Sequence, residues 1–380
     1  MSGQPIAVTR LSLTDYRNYA HLTLDTDARP VVLTGANGAG KTNLLEAVSL
    51  LVPGRGLRRT QFGQLARANG SGGWAVAADV DGLNGPVRIG TGIEAGAEAT
   101  TTRTVRIERE PQPVTALADH VTCLWLTPAM DGLFTGPAGD RRRFLDRLTV
   151  ALHGAHAAQT SRFERLMRQR NRLLADMNPD PRWLDAIEGE LAESGIAIAA
   201  ARSETVGLLA EAAEATRGDD MFPAFGIAIE GEIEADLGSL SATQAEDAYR
   251  ARLGAMRGQD AAAGRTLSGP HRSDLGVTHA PKGIAAALAS TGEQKALLIG
   301  LTLAHARIVT QRSPGKRPPL LLLDEIAAHL DDLRREALYD RLNSLQCQAW
   351  MTGTDRALFA AIEADAQTFE VASGTVSPWG

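Results

Sequence analysis

The sequence predicts an α/β fold in which a first lobe with a parallel sheet is joined to a second, mainly helical lobe. An apolar run at 30–33 is typical of a strand, and a glycine-rich segment and the helical apolar pattern at 44–51 follow it. The four leucines at 320–323 have the composition of a strand buried on both faces of a parallel sheet. From 141 to 217 the chain is rich in Ala, Leu, Glu and Arg, which favours helices.

The glycine-rich segment reads GANGAGKT and fits the pattern G-x-x-x-x-G-K-[ST] between a strand and a helix. In such a loop, backbone N–H groups turn toward the phosphates of a nucleotide, and the helix directs its positive dipole end at them. Lys41 adds a cation, and the Thr42 hydroxyl is suited to bind Mg²⁺. The alternative is a glycine-rich turn that contains Lys-Thr by chance, but such a turn would not need a strand before it and a helix after it. The predicted ATP-binding residues are Gly35, Ala36, Asn37, Gly38, Ala39, Gly40, Lys41 and Thr42.

Two acidic residues, Asp324 and Glu325, directly follow the leucine run. They would stand at the carboxyl end of a strand, where parallel sheets form ligand crevices. Asp324 is suited to hold Mg²⁺, often through water, and Glu325 to orient and deprotonate an attacking water molecule. Taken alone, the sequence LLLLDE would also fit a buried strand that ends in two solvated acids. Its occurrence together with the glycine-rich loop favours the catalytic interpretation. Glu325 is therefore the predicted catalytic residue, and Thr42 and Asp324 are the predicted metal ligands.

A third motif, STGEQK at 290–295, lies shortly before the acidic strand. Ser290 and Glu293 have the spacing of a capping box, which predicts that Ser290 begins a helix. The helix start and the Gly292 backbone would form a second phosphate-binding site. Because the glycine-rich loop of the same chain already surrounds its own nucleotide, this second site would bind the nucleotide of another copy of the chain. An ordinary helix start is the alternative interpretation. We predict that Ser290, Gly292 and Gln294 contact the ATP bound by a partner chain.

These three motifs together resemble the heads of ABC-type and SMC-type P-loop ATPases. Further segments are similar to the RecF family of bacterial DNA replication and repair proteins, and they keep the family order between about Leu11 and Asp355. These segments are LTDYRNY, GANGAGKTNLLEAVSLL, GLRRTQFGQLAR, TPAMDGLFTGPAGDRRRFLDRL, RQRNRLL and LSGPHRSDL. About 250 residues separate Lys41 from Ser290, which leaves room for a compact helical lobe but not for a long coiled coil.

The resemblance implies an ATP-dependent, DNA-binding recombination-repair protein that forms a homodimer on binding ATP and Mg²⁺. It implies weak ATP hydrolysis that releases the protein, duplex DNA near single-strand gaps as the ligand, and cooperation with RecR and RecO in loading RecA. Two other interpretations stay open: the ATPase subunit of an ABC transporter, and an ATP-gated DNA-binding module that does not hydrolyse ATP. The enlarged insert and the arginine-rich helix weaken the transporter interpretation.

The chain departs from the ABC-type pattern in two places. The segment WMTGTD at 350–355 has no histidine where many heads place a sensor of the γ-phosphate, so Thr352 or Thr354 is the candidate substitute. The segment AAHLDD carries His329 where an acidic residue is familiar, which leaves the role of His329 open. The same segment points to Asp331 as the contact with the partner's nucleotide.

Composition indicates a globular protein of the reducing cytoplasm. Of 380 residues, 44% are hydrophobic and 22% are charged, and this length suffices for two lobes. The two cysteines cannot form a disulfide framework, and we expect both thiols to be buried. No apolar run approaches the roughly 18 residues of a membrane span, and the amino-terminal segment lacks an export signal.

The net charge of −6 opposes nucleic-acid binding unless basic residues are clustered. From Arg141 to Arg172, nine arginines stand against two acids, a local excess of seven positive charges. Arginine binds phosphate oxygens, and only 4% of residues are aromatic, so duplex backbone recognition is favoured over base stacking. A solvated helix surface is the alternative. The predicted DNA-binding residues are Arg58, Arg59, Arg141, Arg142, Arg143, Arg165, Arg168 and Arg172.

Turn signals and apolar patterns predict the domain bounds. Residues 1–119 and 265–380 are assigned to the ATPase lobe, whose amino-terminal part includes a mainly β arm, and 120–264 to the helical lobe. We predict a strand pair at 222–233 and, at 258–269, a passage that bears Gly and Ala and returns to the core of the ATPase lobe.

Overall fold

The computed structural model of the protein describes residues 4–96, 102–176, 179–215 and 221–379, without the side chains of Ala215 and His329. The role of the His329 side chain therefore stays open. The strands are β1 Ala7–Tyr16, β2 Tyr19–Asp25, β3 Val31–Thr34, β4 Trp74–Gly82, β5 Gly85–Ile93, β6 Thr104–Ile107, β7 Glu110–Gln112, β8 Cys123–Leu126, β9 Phe225–Glu230, β10 Asp274–His279, β11 Ile284–Ala285, β12 Leu320–Leu323, β13 Ala349–Gly353, β14 Gln367–Ala372 and β15 Thr375–Pro378. The α-helices are α1 Lys41–Ser49, α2 Ala138–Leu152, α3 His156–Ala175, α4 Pro181–Ala215, α5 Glu232–Ser239, α6 Ala242–Ala255, α7 Arg257–Ala263, α8 Thr291–Arg312 and α9 Asp332–Leu345.

One six-stranded sheet has the order β15-β14-β3-β13-β12-β8, and its strands from β14 to β8 run parallel. Strands β3, β8 and β12 are buried along their whole length, which explains why their sequences are nearly continuous apolar runs. Strand β13 lies between β3 and β12. The segments that follow β3, β13 and β12 therefore meet at the carboxyl end of the sheet, although the segment after β3 is far in sequence from the other two.

A second six-stranded sheet, with the order β2-β1-β4-β5-β6-β7, is antiparallel and forms the predicted β arm. Its buried face shares one hydrophobic core with the parallel sheet, in which Leu11 and Val76 join Leu33. Gln348 connects the two sheets, because its side-chain oxygen accepts from the Val8 N–H at 2.9 Å. Its amide nitrogen donates to the Val8 carbonyl, also at 2.9 Å. One continuous core thus supports both sheets.

The chain folds into two compact units. The first comprises Met1–Asp131, Asp219–Pro223 and Ser290–Gly380, and the second comprises Gly132–Gly218 and Ala224–Ala289. These bounds differ from the predicted lobes because β8 pairs with β12 inside the parallel sheet, while β9, β10 and β11 form a separate sheet within the second unit.

The second unit is mainly helical, as predicted. Helices α3 and α4 pack side by side and bury an apolar cluster that includes Phe163, Leu166 and Leu191. One smaller prediction for this region is wrong. The segment 222–233 holds one strand and the start of α5, because β9 pairs with the distant β10 instead of with a local neighbour. The segment 258–269, for which the sequence indicated only a passage bearing Gly and Ala, contains most of α7, and tertiary packing stabilises this helix despite its glycine.

No helix in the described parts of the chain is both long and apolar enough to cross a membrane. Cys123 and Cys347 are buried free thiols, as expected. Burial raises the pKa of the Cys347 thiol to about 12, so this group stays protonated at neutral pH and is a poor nucleophile.

Candidate nucleotide-binding site

The loop between β3 and α1 has a backbone that requires glycine at three positions. Gly35, Gly38 and Gly40 have φ angles of 149°, 81° and 119°, in the region that other residues rarely adopt. A Cβ atom on Gly35 would lie 2.2 Å from the Val371 carbonyl oxygen, and one on Gly40 would lie 2.6 Å from the Tyr19 hydroxyl. The glycines of the predicted phosphate loop are thus fixed by backbone conformation and close packing. The same loop contains Ala36, Asn37 and Ala39.

Lys41 occupies the first position of α1 and is held inside this loop. Its ammonium group donates to the carbonyl oxygens of Gly35 at 2.8 Å and Ala36 at 3.0 Å. Burial lowers the pKa of Lys41, and the negative charges of Glu325 and Asp324 oppose that shift. A buried ammonium that faces two carboxylates is suited to pair with a phosphate, which offers more negative charge than either.

The two predicted metal ligands are in direct contact. The Thr42 hydroxyl donates a hydrogen bond to Asp324 Oδ1 at 2.9 Å, across 282 positions of sequence. Asp324 is only 5% exposed, and burial raises its pKa, opposed by the hydrogen bonds from Thr352 and Thr42. A hydroxyl beside one carboxylate suits Mg²⁺, which keeps several waters and phosphate oxygens as its other ligands. The described residues contain no cluster of three or more His, Cys, Asp or Glu side chains suited to a metal.

Thr352, at the end of β13, joins the two acidic residues. Its hydroxyl donates to Asp324 Oδ1 at 2.8 Å and accepts from the backbone N–H of Glu325 at 2.9 Å. Glu325 has a φ of 54°, an unfavourable conformation for a residue with a side chain and one often found at functional sites. Of the two candidate threonines, Thr352 is buried and bonded to the acidic pair, whereas Thr354 is exposed.

The LTDYRNY segment supports the phosphate loop from the β-arm side. The Asn18 amide donates to the Ala39 carbonyl at 3.0 Å, and the Tyr19 hydroxyl donates to the Gly40 carbonyl at 3.1 Å. Asn43 of α1 donates to the Asn18 side-chain oxygen at 2.7 Å. The turn between β1 and β2 therefore positions the loop and its helix, a role that sequence reasoning did not assign.

A buried carboxylate on α1 organises the basic residues nearby. Glu46 is 1% exposed and accepts hydrogen bonds from Arg17 at 2.8 and 2.9 Å. Arg58 lies 3.6 Å from the same carboxylate and donates to the Asn43 side chain at 2.8 Å. Arg58 and Arg59 are both exposed to solvent at the surface. The arginine-rich segment is thus attached to the helix that begins at the phosphate loop.

The signature segment has the predicted capping box. The Ser290 hydroxyl accepts from the Glu293 N–H at 3.4 Å, and Glu293 Oε2 accepts from the Ser290 N–H at 3.0 Å. Ser290 and Gly292 are exposed, and Gln294 is buried in the same helix. Lys295 is also buried and lies 3.4 Å from Asp131. The first turn of α8 therefore presents the two small residues of this segment to solvent.

Asp331 has a structural role within its own chain. It caps α9, and its carboxylate accepts from the Arg334 N–H at 2.8 Å. Its side chain is 59% exposed, so the cap does not prevent contact with another molecule.

The predicted DNA-binding arginines of the second unit fall into two groups. Arg141 forms a bidentate ion pair with Asp274, both contacts 2.7 Å, and Arg142 donates to the Ser273 carbonyl at 2.7 Å. Arg143 is exposed and pairs with its neighbour Asp140. The exposed arginines on α3 are Arg165, Arg168 and Arg172.

One arginine of the basic stretch lies in the interior. Arg170 is fully buried and pairs with Glu188 at 2.9 Å and with Asp260 at 2.7 Å. Together with the Arg141–Asp274 pair, this reduces the positive charge available at the surface. The positive charge at the surface is therefore smaller than the sequence excess of seven, because acids from distant segments neutralise part of the stretch.

The family model described as RecF/RecN/SMC N terminal domain matches residues 7–377. The DNA replication and repair protein RecF of Rhizobium meliloti (strain 1021) is 53% identical over 373 residues, which cover 98% of this chain and 99% of that protein. RecF of Mesorhizobium japonicum is 51% identical over 372 residues, with coverage of 98% and 97%.

Solved structures show the same fold. The recombination mediator protein RecF-ATPrS in the RecFOR pathway superimposes with a TM-score of 0.87 at 20% identity, and the match covers 100% of both chains. An Smc head domain with an extended coiled coil from Pyrococcus furiosus matches with a TM-score of 0.54 at 14% identity, over 98% of this chain and 95% of that one. The α/β head predicted from sequence is thereby confirmed.

Proposed function

The chain belongs to the RecF family of DNA replication and repair proteins, and we propose that it binds ATP as a dimer and holds duplex DNA in that state. Slow hydrolysis of ATP then releases the DNA. Family membership favours this function over the ATPase subunit of a transporter, because the relatives described above are DNA replication and repair proteins.

The observation that carries this proposal is the convergence of five groups at the ends of three adjacent strands. They are Lys41, Thr42, Asp324, Glu325 and Thr352. The loop glycines and Lys41 would bind the phosphates, and Thr42 and Asp324 would hold Mg²⁺, which would supply positive charge to neutralise the phosphates. Glu325 orients and deprotonates the attacking water, and Thr352 fixes the acidic pair.

The second half of each site comes from the partner chain in this proposal. The exposed first turn of α8 offers Ser290 and the Gly292 backbone to the phosphates bound by the other copy. Gln294 and Asp331 are the further residues proposed to act across the dimer. Two head-to-tail contacts of this kind would bury two ATP molecules and make pairing depend on nucleotide.

The DNA surface of the closed dimer is proposed to use the exposed arginines. Arg165, Arg168 and Arg172 on α3 and Arg58 and Arg59 beside α1 are suited to contact phosphates without reading sequence. We omit Arg141 and Arg142, because their guanidinium groups are engaged within the second unit.

We further propose that the DNA-bound dimer works near single-strand gaps with RecR and RecO and assists the loading of RecA. The support for this step is family membership, together with the RecFOR pathway in which the RecF structure described above was placed.

Sedimentation with and without ATP tests the shared site. Lys41→Met is expected to abolish ATP-dependent pairing, and Glu325→Gln to accumulate the dimer. Ser290→Arg is expected to bind ATP but to remain a monomer. Because this change also removes a helix cap, Ser241→Arg is the matched control, since Ser241 has the same capping box on α6. Normal pairing of Ser290→Arg would overturn the shared-site mechanism.

Duplex binding measured against salt concentration tests the DNA step. We expect tight binding with ATP, weak binding with ADP or without nucleotide, and a salt slope that reports the phosphates contacted. Equal affinity in all three states would contradict ATP gating. If Glu325→Gln released DNA at the wild-type rate, hydrolysis would play no part in release.

A further inference from the structure

The second unit has a groove between α3 and α4 that the proposed ATP mechanism does not use. Its volume is about 410 Å³, and it lies wholly within that unit. Its lining residues are Arg165, Leu166, Gln169, Arg172, Leu173, Trp183, Ile187 and Glu190. A groove of this size admits a single small chemical group, not a folded domain.

Trp183 is the unusual member of this lining. Its side chain is 62% exposed, although a tryptophan contributes more to stability when it is buried. Three of the other tryptophans, Trp74, Trp125 and Trp350, are buried. An exposed indole beside a groove presents a flat aromatic face on which another ring can stack.

Two cations lie on the other wall of the groove. Arg165 and Arg172 stand seven residues apart on α3, which places them on one face about 10.5 Å apart along the axis. Both are exposed, and neither has an ion pair within the described residues. Gln169 is exposed between them and offers an amide for hydrogen bonds.

The acid in the lining does not cancel these charges. Glu190 lies 3.2 Å from Arg162, which also pairs with Glu193 at 3.0 Å. The floor of the groove is apolar, because Leu166 and Ile187 are buried there. The groove thus combines an aromatic wall, an apolar floor and two cations available to anions.

We propose that this groove binds an unpaired segment of DNA, with one base stacked on Trp183 and its flanking phosphates on Arg165 and Arg172. Stacking on an aromatic residue, together with cations along the backbone, is the general chemistry of single-strand binding. A base inside a duplex has both faces covered by its neighbours, so Trp183 can stack only on an unpaired or terminal base. The groove would therefore recognise the single-stranded side of a gap.

This inference deepens the proposed DNA-binding function and rests on it, and it departs from the expectation that base stacking is poorly supported. Trp183 lies on the helix that follows α3, 11 residues beyond Arg172, and the packing of α3 against α4 brings it to the same groove as Arg165 and Arg172.

Fluorescence of Trp183 provides the direct test. A short oligothymidylate is expected to quench the exposed tryptophan emission of the wild-type protein, and the quenching is expected to disappear in Trp183→Phe. Trp183→Ala should weaken oligonucleotide binding about tenfold, whereas Trp183→Phe should retain most of the affinity. Wild-type affinity in Trp183→Ala would overturn the proposal, as would equal quenching by a covalently closed duplex circle, which has no terminal base.

The two arginines are tested by salt dependence. Arg165→Ala and Arg172→Ala should each reduce the salt slope of oligonucleotide binding by about 0.7. Arg250→Ala is the matched control, because Arg250 is an exposed arginine of α6 in the same unit and outside the groove. If Arg250→Ala lowered the salt slope by the same amount, the oligonucleotide would be attracted by the overall positive charge and not by a defined site, which would contradict the proposal.

ATP-dependent duplex binding, measured on the same samples, separates the two proposals. If the wild-type protein showed no ATP-dependent binding of duplex DNA, the proposed function would be contradicted. Normal duplex binding with no effect of Trp183→Ala on the oligonucleotide would contradict only the groove. Quenching by an acidic peptide, but not by the oligonucleotide, would reassign the groove to a protein partner.

Discussion

Thr352 donates its hydroxyl hydrogen to Asp324 Oδ1 over 2.8 Å. The same oxygen of Thr352 accepts from the N–H of Glu325, which has a left-handed backbone conformation. Thr352 therefore fixes both the proposed metal ligand and the peptide that carries the proposed general base.

We predict that Thr352→Val slows ATP hydrolysis more than it weakens ATP binding. Valine keeps the shape of threonine but leaves the Glu325 N–H without its acceptor, and a buried unsatisfied group costs about 1–3 kcal/mol. We expect kcat to fall about tenfold, because the geometry of Glu325 matters in the transition state. Steady-state hydrolysis and a nucleotide titration measure the two effects separately.

Two further variants complete this test. Thr352→Ser retains the hydroxyl and should recover most of the activity. Thr354→Val removes an exposed hydroxyl two residues away and should leave kcat unchanged. Wild-type hydrolysis in Thr352→Val would show that the hydroxyl is dispensable.

The parts of the site that sequence predicted correctly are local. The phosphate loop and the capping box at Ser290 are each defined by residues within one short segment, so their patterns suffice. The position of Thr352 depends instead on the register of β13 between β3 and β12, which joins segments about 300 residues apart. Periodicity predicts that a strand exists but not its neighbours, so the sequence left Thr352 and Thr354 as alternatives.

We predict that Arg17→Ala destabilises the first unit and weakens ATP binding. The change removes two hydrogen bonds from the buried carboxylate of Glu46, each to a charged group, and we expect a loss of about 2 kcal/mol in the free energy of unfolding. The phosphate loop would be less well positioned, because Glu46 lies on the helix that follows it.

Urea unfolding and a nucleotide titration measure these two effects of Arg17→Ala. Arg10→Ala is the control, since Arg10 and Asp25 form an exposed pair that contributes about 0–1 kcal/mol. Equal unfolding midpoints for Arg17→Ala and the wild-type protein would contradict the structural role of Glu46.

We predict that Arg170→Met destabilises the second unit strongly. The change leaves Glu188 and Asp260 buried without their shared cation, and breaking a buried pair in this way costs about 3–5 kcal/mol. Arg168→Met, two residues away on the exposed face, should change stability by less than about 0.5 kcal/mol. Chemical denaturation compares the two, and similar stability of both variants would contradict the assignment of Arg170 to the core.

Arg170 also shows why charge counts along a sequence overestimate a binding surface. Helical spacing correctly placed Arg165, Arg168 and Arg172 on the exposed face of α3. The partners of Arg170 come from α4 and α7, and the sequence gives no sign that these acids lie opposite it. The surface charge of the second unit could be determined only from its tertiary structure.

We predict that the stabilising effect of Arg141 depends on pH through Asp274. The bidentate contact with Arg141 holds the pKa of Asp274 below its ordinary value, opposed in part by burial. The stability that it contributes is therefore fully present above the unfolded-state pKa of about 3.9, and it is lost as pH falls through the lower folded-state pKa. Urea unfolding of Arg141→Ala and wild type between about pH 7 and pH 3 should show a gap in stability that is largest near neutrality and narrows as pH falls below about 3.9. A difference in stability that persists unchanged in acid would mean that Arg141 acts by packing alone. A large loss of duplex affinity in Arg141→Ala at neutral pH, with the fold intact, would instead show that Arg141 belongs to the DNA-binding surface.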